Sequence, residues 1–198
     1  RSIAWPRGLV LGGSSSINGL VYIRGQAEDY DHWRQLGNRG WSFDDVLPYF
    51  KKSQDQQRGG DEFHGTGGPL TVSNMRYESP LCDAFIAAAE EIGIPRNDDV
   101  NAGAQEGAGY FQLTTRNGFR CSSAVAFLNP AKGRPNLDVE THAQVHRLLF
   151  EGRRAVGVAY AVKGTPRQAR AAGEVVLSAG AIGSPQVLQL SGVGPGAV

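Results

Sequence analysis

The sequence has little with which to cross-link itself: Cys82 and Cys121 are the only two cysteines in 198 residues. Two such residues cannot build a disulfide framework, and without CxxC spacing they mark no metal knuckle. Free thiols are expected, which favours a reducing, cytoplasmic compartment while leaving the localisation open. An excess of one charge is also missing. Twenty basic residues stand against 19 acidic ones, and the densest positive run is Arg153-Arg154, with Arg167 and Arg170 further on. That balance excludes nucleic acid as a main partner. No apolar run approaches the roughly 20 residues that cross a bilayer, so no transmembrane segment is expected. The opening residues lack the layout of a secretory signal. Methionine occurs once, as Met75, and the first residue is Arg1. A fragment or a processed product of a longer protein is therefore expected.

Glycine is what the chain has in plenty. There are 27, gathered in tight clusters that imply sharp turns or close backbone approach rather than disorder. A hydrophobic share of 40% supports one ordinary core with room for a second lobe. The apolar run 9–11 predicts a strand or extended segment, then a small-residue turn, then an apolar element of open type at 20–23. Helices are expected over 28–36, closed by Gly37, and over about 43–52, where Ser42 is a good N-cap and Asp44 and Asp45 fill the first turn. Pro48 predicts a kink or an early end there. A third helix is expected over 80–92, opened by Ser79-Pro80 and stopped by Gly93, with Leu81, Phe85, Ala88 and Ile92 on one apolar face.

Residues 54–68 read as a polar surface loop and 69–72 as a short strand. Residues 94–120 read as loops with short strands near 110–115, and 122–128 as a short helix ended by Pro130. Further on, β-branched runs at 137–139, 145–149 and 156–162, with a turn at 150–153, predict a small antiparallel meander. Residues 174–178 read as a buried strand running into Ala179-Gly180-Ala181, and Ser184-Pro185 as the cap of a helix ending at Ser191-Gly192.

Two segments could carry chemistry. Gly12-Gly13-Ser14-Ser15-Ser16 could form a nest of N–H groups for an anion, or simply a tight strand-to-helix turn. It is neither a Walker loop nor a nucleophile elbow, since no Gly-Lys-Ser/Thr follows and Gly-x-Ser-x-Gly is absent. The 176–188 segment could open a ligand crevice at the end of a strand, or be an ordinary βα unit. Spacing alone leaves both pairs of readings standing.

The longer runs say more. Pro6-Arg7-Gly8-Leu9-Val10-Leu11-Gly12-Gly13-Ser14-Ser15-Ser16-Ile17-Asn18-Gly19-Leu20-Val21-Tyr22-Ile23-Arg24-Gly25 resembles the first signature of the glucose–methanol–choline (GMC) family of flavoproteins. Residues 179–195, from Ala179-Gly180-Ala181-Ile182-Gly183-Ser184-Pro185 to Gly194-Pro195, resemble its second. Asp29-Tyr30-Asp31-His32-Trp33, Gly40-Trp41-Ser42, Asp45-Val46-Leu47-Pro48-Tyr49-Phe50, His64-Gly65, Arg134-Pro135-Asn136-Leu137 and Arg154-Ala155-Val156-Gly157-Val158 extend the likeness over nearly the whole chain. Its flavour is that of the choline-dehydrogenase-like branch.

The resemblance implies an α/β (α+β mixture) fold: an incomplete FAD-binding Rossmann-like domain with a β-meander and an inserted helical, loop-rich region. Residues 1–25 and 131–198 would form the FAD-binding portion and 26–130 the insertion. It implies that Gly12, Gly13 and Ser14, with Val10 just before them, wrap the FAD pyrophosphate. Asn18, Gly19, Leu20 and Val21 would lie along the flavin side, Val145 would meet the adenine, and Gly180 would pass near the adenosine half. The small-residue turn and the late strand-to-helix junction are thus expected around one dinucleotide. Some relatives tether the flavin through a histidine in the first signature. Ile17 and Asn18 stand there here, so non-covalent FAD is expected; Leu9 replaces a residue that is commonly basic.

Two family features are not found: the Gly-x-Gly-x-x-Gly fingerprint, which Gly192-Val193-Gly194-Pro195-Gly196 does not replace, and the catalytic histidine with its histidine or asparagine partner. No catalytic residue is assigned among the four histidines, and the chain alone is expected to be inactive and to bind FAD weakly. The implied activity of the parent is oxidation of a small-molecule alcohol, with oxygen or a quinone-like molecule as electron acceptor. A noncatalytic domain that kept the fold and a flavin-containing lyase are the alternatives. No metal site is expected: His142 and His146 lack a third ligand, and Asn97-Asp98-Asp99 lacks the spacing of a calcium cage. His64 reads as a turn residue in a loop that the family places near the active-site entrance. Trp5, Trp33 and Trp41 read as core or interdomain packing.

Overall fold

The computed structural model describes residues 2–196, and the chain divides into two compact units, residues 1–134 and 135–198. The first unit begins as extended chain, tightens into a 3-10 turn at Gly13–Ser16, and continues into helices α1 (Ala27–Gln35) and α2 (Phe43–Ser53). Both helices start as their sequences dictate. The Asp29 carboxylate accepts from the Gln26 N–H at 3.0 Å, and at α2 Ser42 and Asp45 bond reciprocally. The Ser42 hydroxyl and N–H together hold the Asp45 carboxyl below the usual carboxylate range. Contrary to expectation, α2 continues past Pro48. A proline at the sixth position removes one bond, to the carbonyl of Asp44, and the cap and the packing around Tyr30 outweigh that loss.

Strand β1 (Gln54–Gln56) was not visible in the sequence, which reads there as a loop. It pairs in parallel with β2 (Leu70–Val72), and its two glutamines point inward. The reason is a polar core. Arg24, only 6% exposed, donates to the Phe63 carbonyl at 2.7 Å, to Gln54 Oε1 at 2.6 Å and to the Tyr22 hydroxyl at 3.0 Å, and its guanidinium lies 5.1 Å from the Phe50 ring centre. Gln56 and Gln112 exchange amide hydrogen bonds at 2.8 and 2.9 Å. Most of these buried polar atoms satisfy one another, which is what makes such a core tolerable; Gln54 Nε2 is the exception and finds no partner among the described residues.

Helix α3 (Pro80–Glu91) has the predicted start: the Ser79 hydroxyl accepts from the Leu81 N–H, and Pro80 follows at the first helical position. The apolar face is a different one from that expected. Ile86 and Ala89 are buried, whereas Leu81, Phe85 and Ile92 stay open, Leu81 at 82% exposure. Tyr110 anchors the helix start from one side by donating to the Ser79 carbonyl and the Asp83 carboxylate. Burial and the Asp83 carboxylate push the Tyr110 phenol up to about 12. Leu113 bridges both Val21 and Ser73, so the apolar element at 20–23 is a single bridge rather than a long strand. A two-residue hairpin, β3 (Thr115–Arg116) with β4 (Phe119–Arg120), leads into a wide π turn at Ala124–Leu128. A short helix α4 (Asn129–Ala131) then runs through Pro130, which sits in a first turn where no donor is required.

In the second unit β5 (Ala143–Glu151), β6 (Arg154–Val162) and β7 (Thr165–Arg170) form an antiparallel meander in that order. The meander is shifted by one strand from the expected one. Residues 137–139 join no ladder, while β7 follows the two-residue Lys163-Gly164 turn, both residues in the left-handed region. Its sequence, Thr-Pro-Arg-Gln-Ala-Arg, is exposed throughout and lacks strand-like apolarity because it is an edge. Residues 174–178 alternate in exposure but pair with no strand among the described residues, contrary to the buried strand expected. Helix α5 (Gly180–Leu190) begins before Ser184-Pro185 rather than after it. The Ser184 hydroxyl instead accepts from the Ala179 N–H at 3.0 Å. Val187 on α5 packs with Leu148 and Val156 in the core of this unit, and the Ser191 hydroxyl accepts from the Leu148 N–H at 2.8 Å. Cys82 is exposed and Cys121 buried, both as free thiols.

Trp33 and Trp41 stack edge-on at 5.9 Å yet remain half exposed, as does Trp5, whose ring carries the Arg7 guanidinium at 5.3 Å. The core ring of the α1–α2 pair is Tyr30 instead, which contacts Trp33, Phe43 and Phe50.

Replacing Arg24 with methionine should destabilise the chain by about 3 kcal/mol in urea unfolding, because one buried and two half-buried oxygens each lose a hydrogen bond from a charged donor. A methionine variant of wild-type stability would show that this polar core contributes nothing. A second expectation concerns pH. Burial would raise the Asp61 carboxyl, but the His64 ring and the Phe63 and His64 N–H groups outweigh it and hold it below the ordinary 3.8. A depressed carboxyl stabilises the fold above its unfolded value and ceases to do so as pH falls through the folded one. Amide exchange at Phe63 and His64 should therefore quicken selectively as pH drops below 3.8. An unchanged protection pattern there would count against it.

Candidate functional site

Each of the positions expected to meet a cofactor can be located within its own unit. In the first, Val10, Gly12, Gly13 and Ser14 build one compact turn. The Gly13 N–H donates to the Val10 carbonyl at 2.8 Å, and the backbone then winds through Ser14 and Ser15 as a 3-10 turn. Gly12 has φ +92°, and a Cβ there would meet Ser16 Oγ at 2.5 Å and Ala124 Cβ at 3.2 Å, so only glycine fits. Gly13, at φ +53°, has open space where its Cβ would stand. Among the described residues, the N–H groups of Gly12 and Ser14 find no acceptor. Two unsatisfied donors beside an uncovered glycine are the features that suit an anion such as a diphosphate.

Asn18, Gly19, Leu20 and Val21 continue from this turn. The Asn18 N–H donates to the Ser14 carbonyl at 2.9 Å, which joins the two groups of predicted residues into one site. Leu20 is held at φ +70°, a left-handed conformation uncommon outside glycine. Its N–H donates to Asn18 Oδ1 at 3.2 Å, and its carbonyl accepts from the Thr114 N–H at 2.8 Å and the Thr114 hydroxyl at 3.1 Å. Val21 forms the bridge with Leu113.

The residues that fix this geometry lie about a hundred positions later and were not singled out in the sequence. Arg120 donates to the Ser15 carbonyl at 3.1 Å, to Asn18 Oδ1 at 2.7 Å and to the Asn18 carbonyl at 2.9 Å. The Ser123 hydroxyl donates to the Gly12 carbonyl at 3.1 Å, and its N–H donates to Ser15 Oγ at 2.9 Å. The one available signal was the run Arg120-Cys121-Ser122-Ser123, a cation and small polar groups directly after a tight hairpin.

In the second unit, Val145 sits on β5, paired with Tyr160, immediately before an irregularity in the ladder at His146. β5 is an edge strand, and the Val145 carbonyl accepts from the Gln144 side chain at 3.3 Å. Gly180 opens α5 with φ +85°. His142 precedes β5 and His146 occupies its irregularity; among the described residues no cluster of three or more potential metal ligands exists. Nor is any described helix long and apolar enough to cross a membrane.

His64 lies in an irregular loop directly after a bend at 62–63, and its side chain is buried. Its Nδ1 meets the Asp61 carboxylate at 2.9 Å, while Nε2 stands 3.5 Å from Asp99 Oδ2 and makes no hydrogen bond. It organises the loop interior. None of the positions in the turn titrates, so what the turn offers an anion is backbone dipoles and shape rather than a tuned acid or base.

The chain as a whole is similar to known proteins. Residues 1–197 match the GMC oxidoreductase family. The chain is 48% identical to the mitochondrial choline dehydrogenase of Homo sapiens, over 98% of this chain and 33% of that protein. It is likewise 48% identical to an alcohol dehydrogenase [acceptor] of Pseudomonas putida, over 100% of this chain and 36% of that protein. An FAD-dependent oxidoreductase from Chaetomium thermophilum superposes with a TM-score of 0.86 at 33% identity, covering 96% of this chain and 35% of that one. The chain thus spans about a third of the length of the curated relatives it matches. The match over almost every residue places it plainly: the chain belongs to the GMC oxidoreductase family.

Proposed function

We propose that the whole protein is an FAD-dependent oxidoreductase acting on the CH–OH group of an alcohol in the manner of choline dehydrogenase, and that this chain supplies cofactor-binding segments. The observation that carries the reading is the Gly12–Ser14 turn, tied through its carbonyls while the N–H groups of Gly12 and Ser14 find no acceptor among the described residues. Residues 1–25 and 131–198 belong in this reading to the cofactor-binding portion and 26–130 to an insertion.

Gly12, Gly13 and Ser14, with Val10 setting the turn, would hold the diphosphate through backbone N–H groups, whose partial charges need no side-chain cation. Asn18, Gly19, Leu20 and Val21 would border the flavin, Val145 the adenine and Gly180 the adenosine half. The place of Val145 on an edge strand, beside the irregularity at His146, supports the adenine contact, since a strand edge offers hydrogen bonds to a planar ring. When bound, FAD supplies the two-electron sink that takes hydride from the carbinol carbon, while a base takes the hydroxyl proton and the electrons leave to oxygen or a quinone-like acceptor. No residue of this chain is assigned as that base. Ile17 and Asn18 stand where some relatives carry a tethering histidine, so the cofactor is held without a covalent link.

Visible absorbance of the purified whole protein tests the proposal. Flavin bands that bleach on anaerobic addition of choline or another alcohol are expected, with the carbonyl as product. A colourless protein that FAD cannot reconstitute would favour a noncatalytic domain of the same fold, and cleavage of a cyanohydrin without net oxidation would favour a lyase. Replacing Gly12 with valine should weaken FAD binding by about tenfold or more, since a side chain there distorts the turn. Wild-type flavin content in that variant would remove the turn from the site.

A further inference from the structure

A turn whose N–H groups are reserved for a ligand must be held by something else, and the contacts around residues 12–20 show what does so. Arg120 is the centre. All three of its hydrogen bonds end on neutral oxygens of this one segment: the Ser15 carbonyl, the Asn18 carbonyl and Asn18 Oδ1. No carboxylate pairs with its guanidinium among the described residues. Asn18 Oδ1 also accepts from the Leu20 N–H, so the same amide oxygen links the cation to the left-handed Leu20. Thr114 holds the carbonyl of Leu20 from the far side with two donors. Ser123 closes the front of the turn through Gly12 and Ser15.

We infer that Arg120 is a positioning residue for the cofactor: its planar fork locks Ser15 and Asn18, keeps Leu20 in its strained conformation beside the flavin, and adds positive charge behind the diphosphate turn. Ser123 is its lesser partner. The inference rests on the reading that this segment borders FAD. The chemistry favours arginine specifically. A guanidinium presents several in-plane donors and spans two carbonyls and an amide at once, whereas the single ammonium of lysine cannot hold the same three oxygens in one plane. Strained backbone near a binding site persists only where neighbouring groups over-determine it, and Leu20 is fixed from both sides. An unneutralised cation behind the turn also raises the local potential felt by an anion in front of it.

The test has two arms. In this chain, hydrogen exchange of the Asn18 and Leu20 amides in Arg120→Ala should quicken by about tenfold or more, while the α3 amides keep their protection and report an intact fold. In the whole protein, Arg120→Ala should bind FAD about tenfold more weakly and shift the visible flavin bands and the flavin midpoint potential. Added guanidinium should restore both, and Arg120→Lys should recover only part. Wild-type exchange at Asn18 and Leu20 in Arg120→Ala overturns the clamp. So do wild-type FAD affinity and potential in that variant. If the α3 amides lose protection as well, Arg120→Lys and Ser123→Ala carry the same comparison, and wild-type behaviour in both again overturns it. A whole protein that takes up no FAD even as wild type defeats the functional reading instead, while the exchange arm still decides whether Arg120 holds the turn.

Discussion

A backbone turn that offers its N–H groups to an anion cannot use the same groups to hold itself together. That constraint organises the first unit. The donors of Gly12 and Ser14 stay free, so the turn is fixed through its carbonyls, which accept from Ser15, Ser123 and Arg120. In the proposed reading this amounts to preorganisation: an arriving ligand would meet donors already in place, and little conformational entropy would remain to be lost on binding.

The same logic of satisfied polar groups extends deeper. Arg24 is buried without a carboxylate, and its donors end on a carbonyl, an amide and a phenol. Its backbone is fixed as well, by Asn101 at the N–H and Gln105 at the carbonyl, both from a loop far along the sequence. The segment leading away from the glycine turn is thereby tied to the β1–β2 pair and to the 101–105 loop. A polar core of this kind gives less transfer energy than an apolar one but specifies its geometry more narrowly, which suits a region whose task is to hold a turn in position.

Much of this was legible in the residues and much was not, for identifiable physical reasons. Ser42 with Asp45, and Ser79 with Pro80, announced their helices because caps are local chemistry. The long signatures named the family where spacing alone left the glycine turn ambiguous. Strand β1 stayed hidden because Gln54 and Gln56 face inward, and their partners, Arg24 and Gln112, are distant in sequence. The apolar residues of α3 misled in the opposite sense: helical spacing identifies a face but not what covers it, and Leu81, Phe85 and Ile92 remain open. Residues 174–178 have the composition of a buried parallel strand and no partner among the described residues. The supporting residues Thr114, Arg120 and Ser123 carried no periodic signal at all, since their role is a matter of tertiary proximity.

The meander of the second unit has two unlike borders. β7 carries Pro166, Arg167 and Arg170 on a fully exposed strand, and both arginines reach carboxylates, Arg167 on Glu140 and Arg170 on Glu151. A proline and flanking cations make a poor template for a fourth strand, so that side of the sheet is closed to further pairing. Growth or recognition through backbone groups is thereby confined to β5, the border that carries Val145 and whose ladder breaks step at His146. The sheet is polarised: a proline and ion-paired arginines shut one rim, while helix α5 takes up part of the other, where Ser191 accepts from the Leu148 N–H.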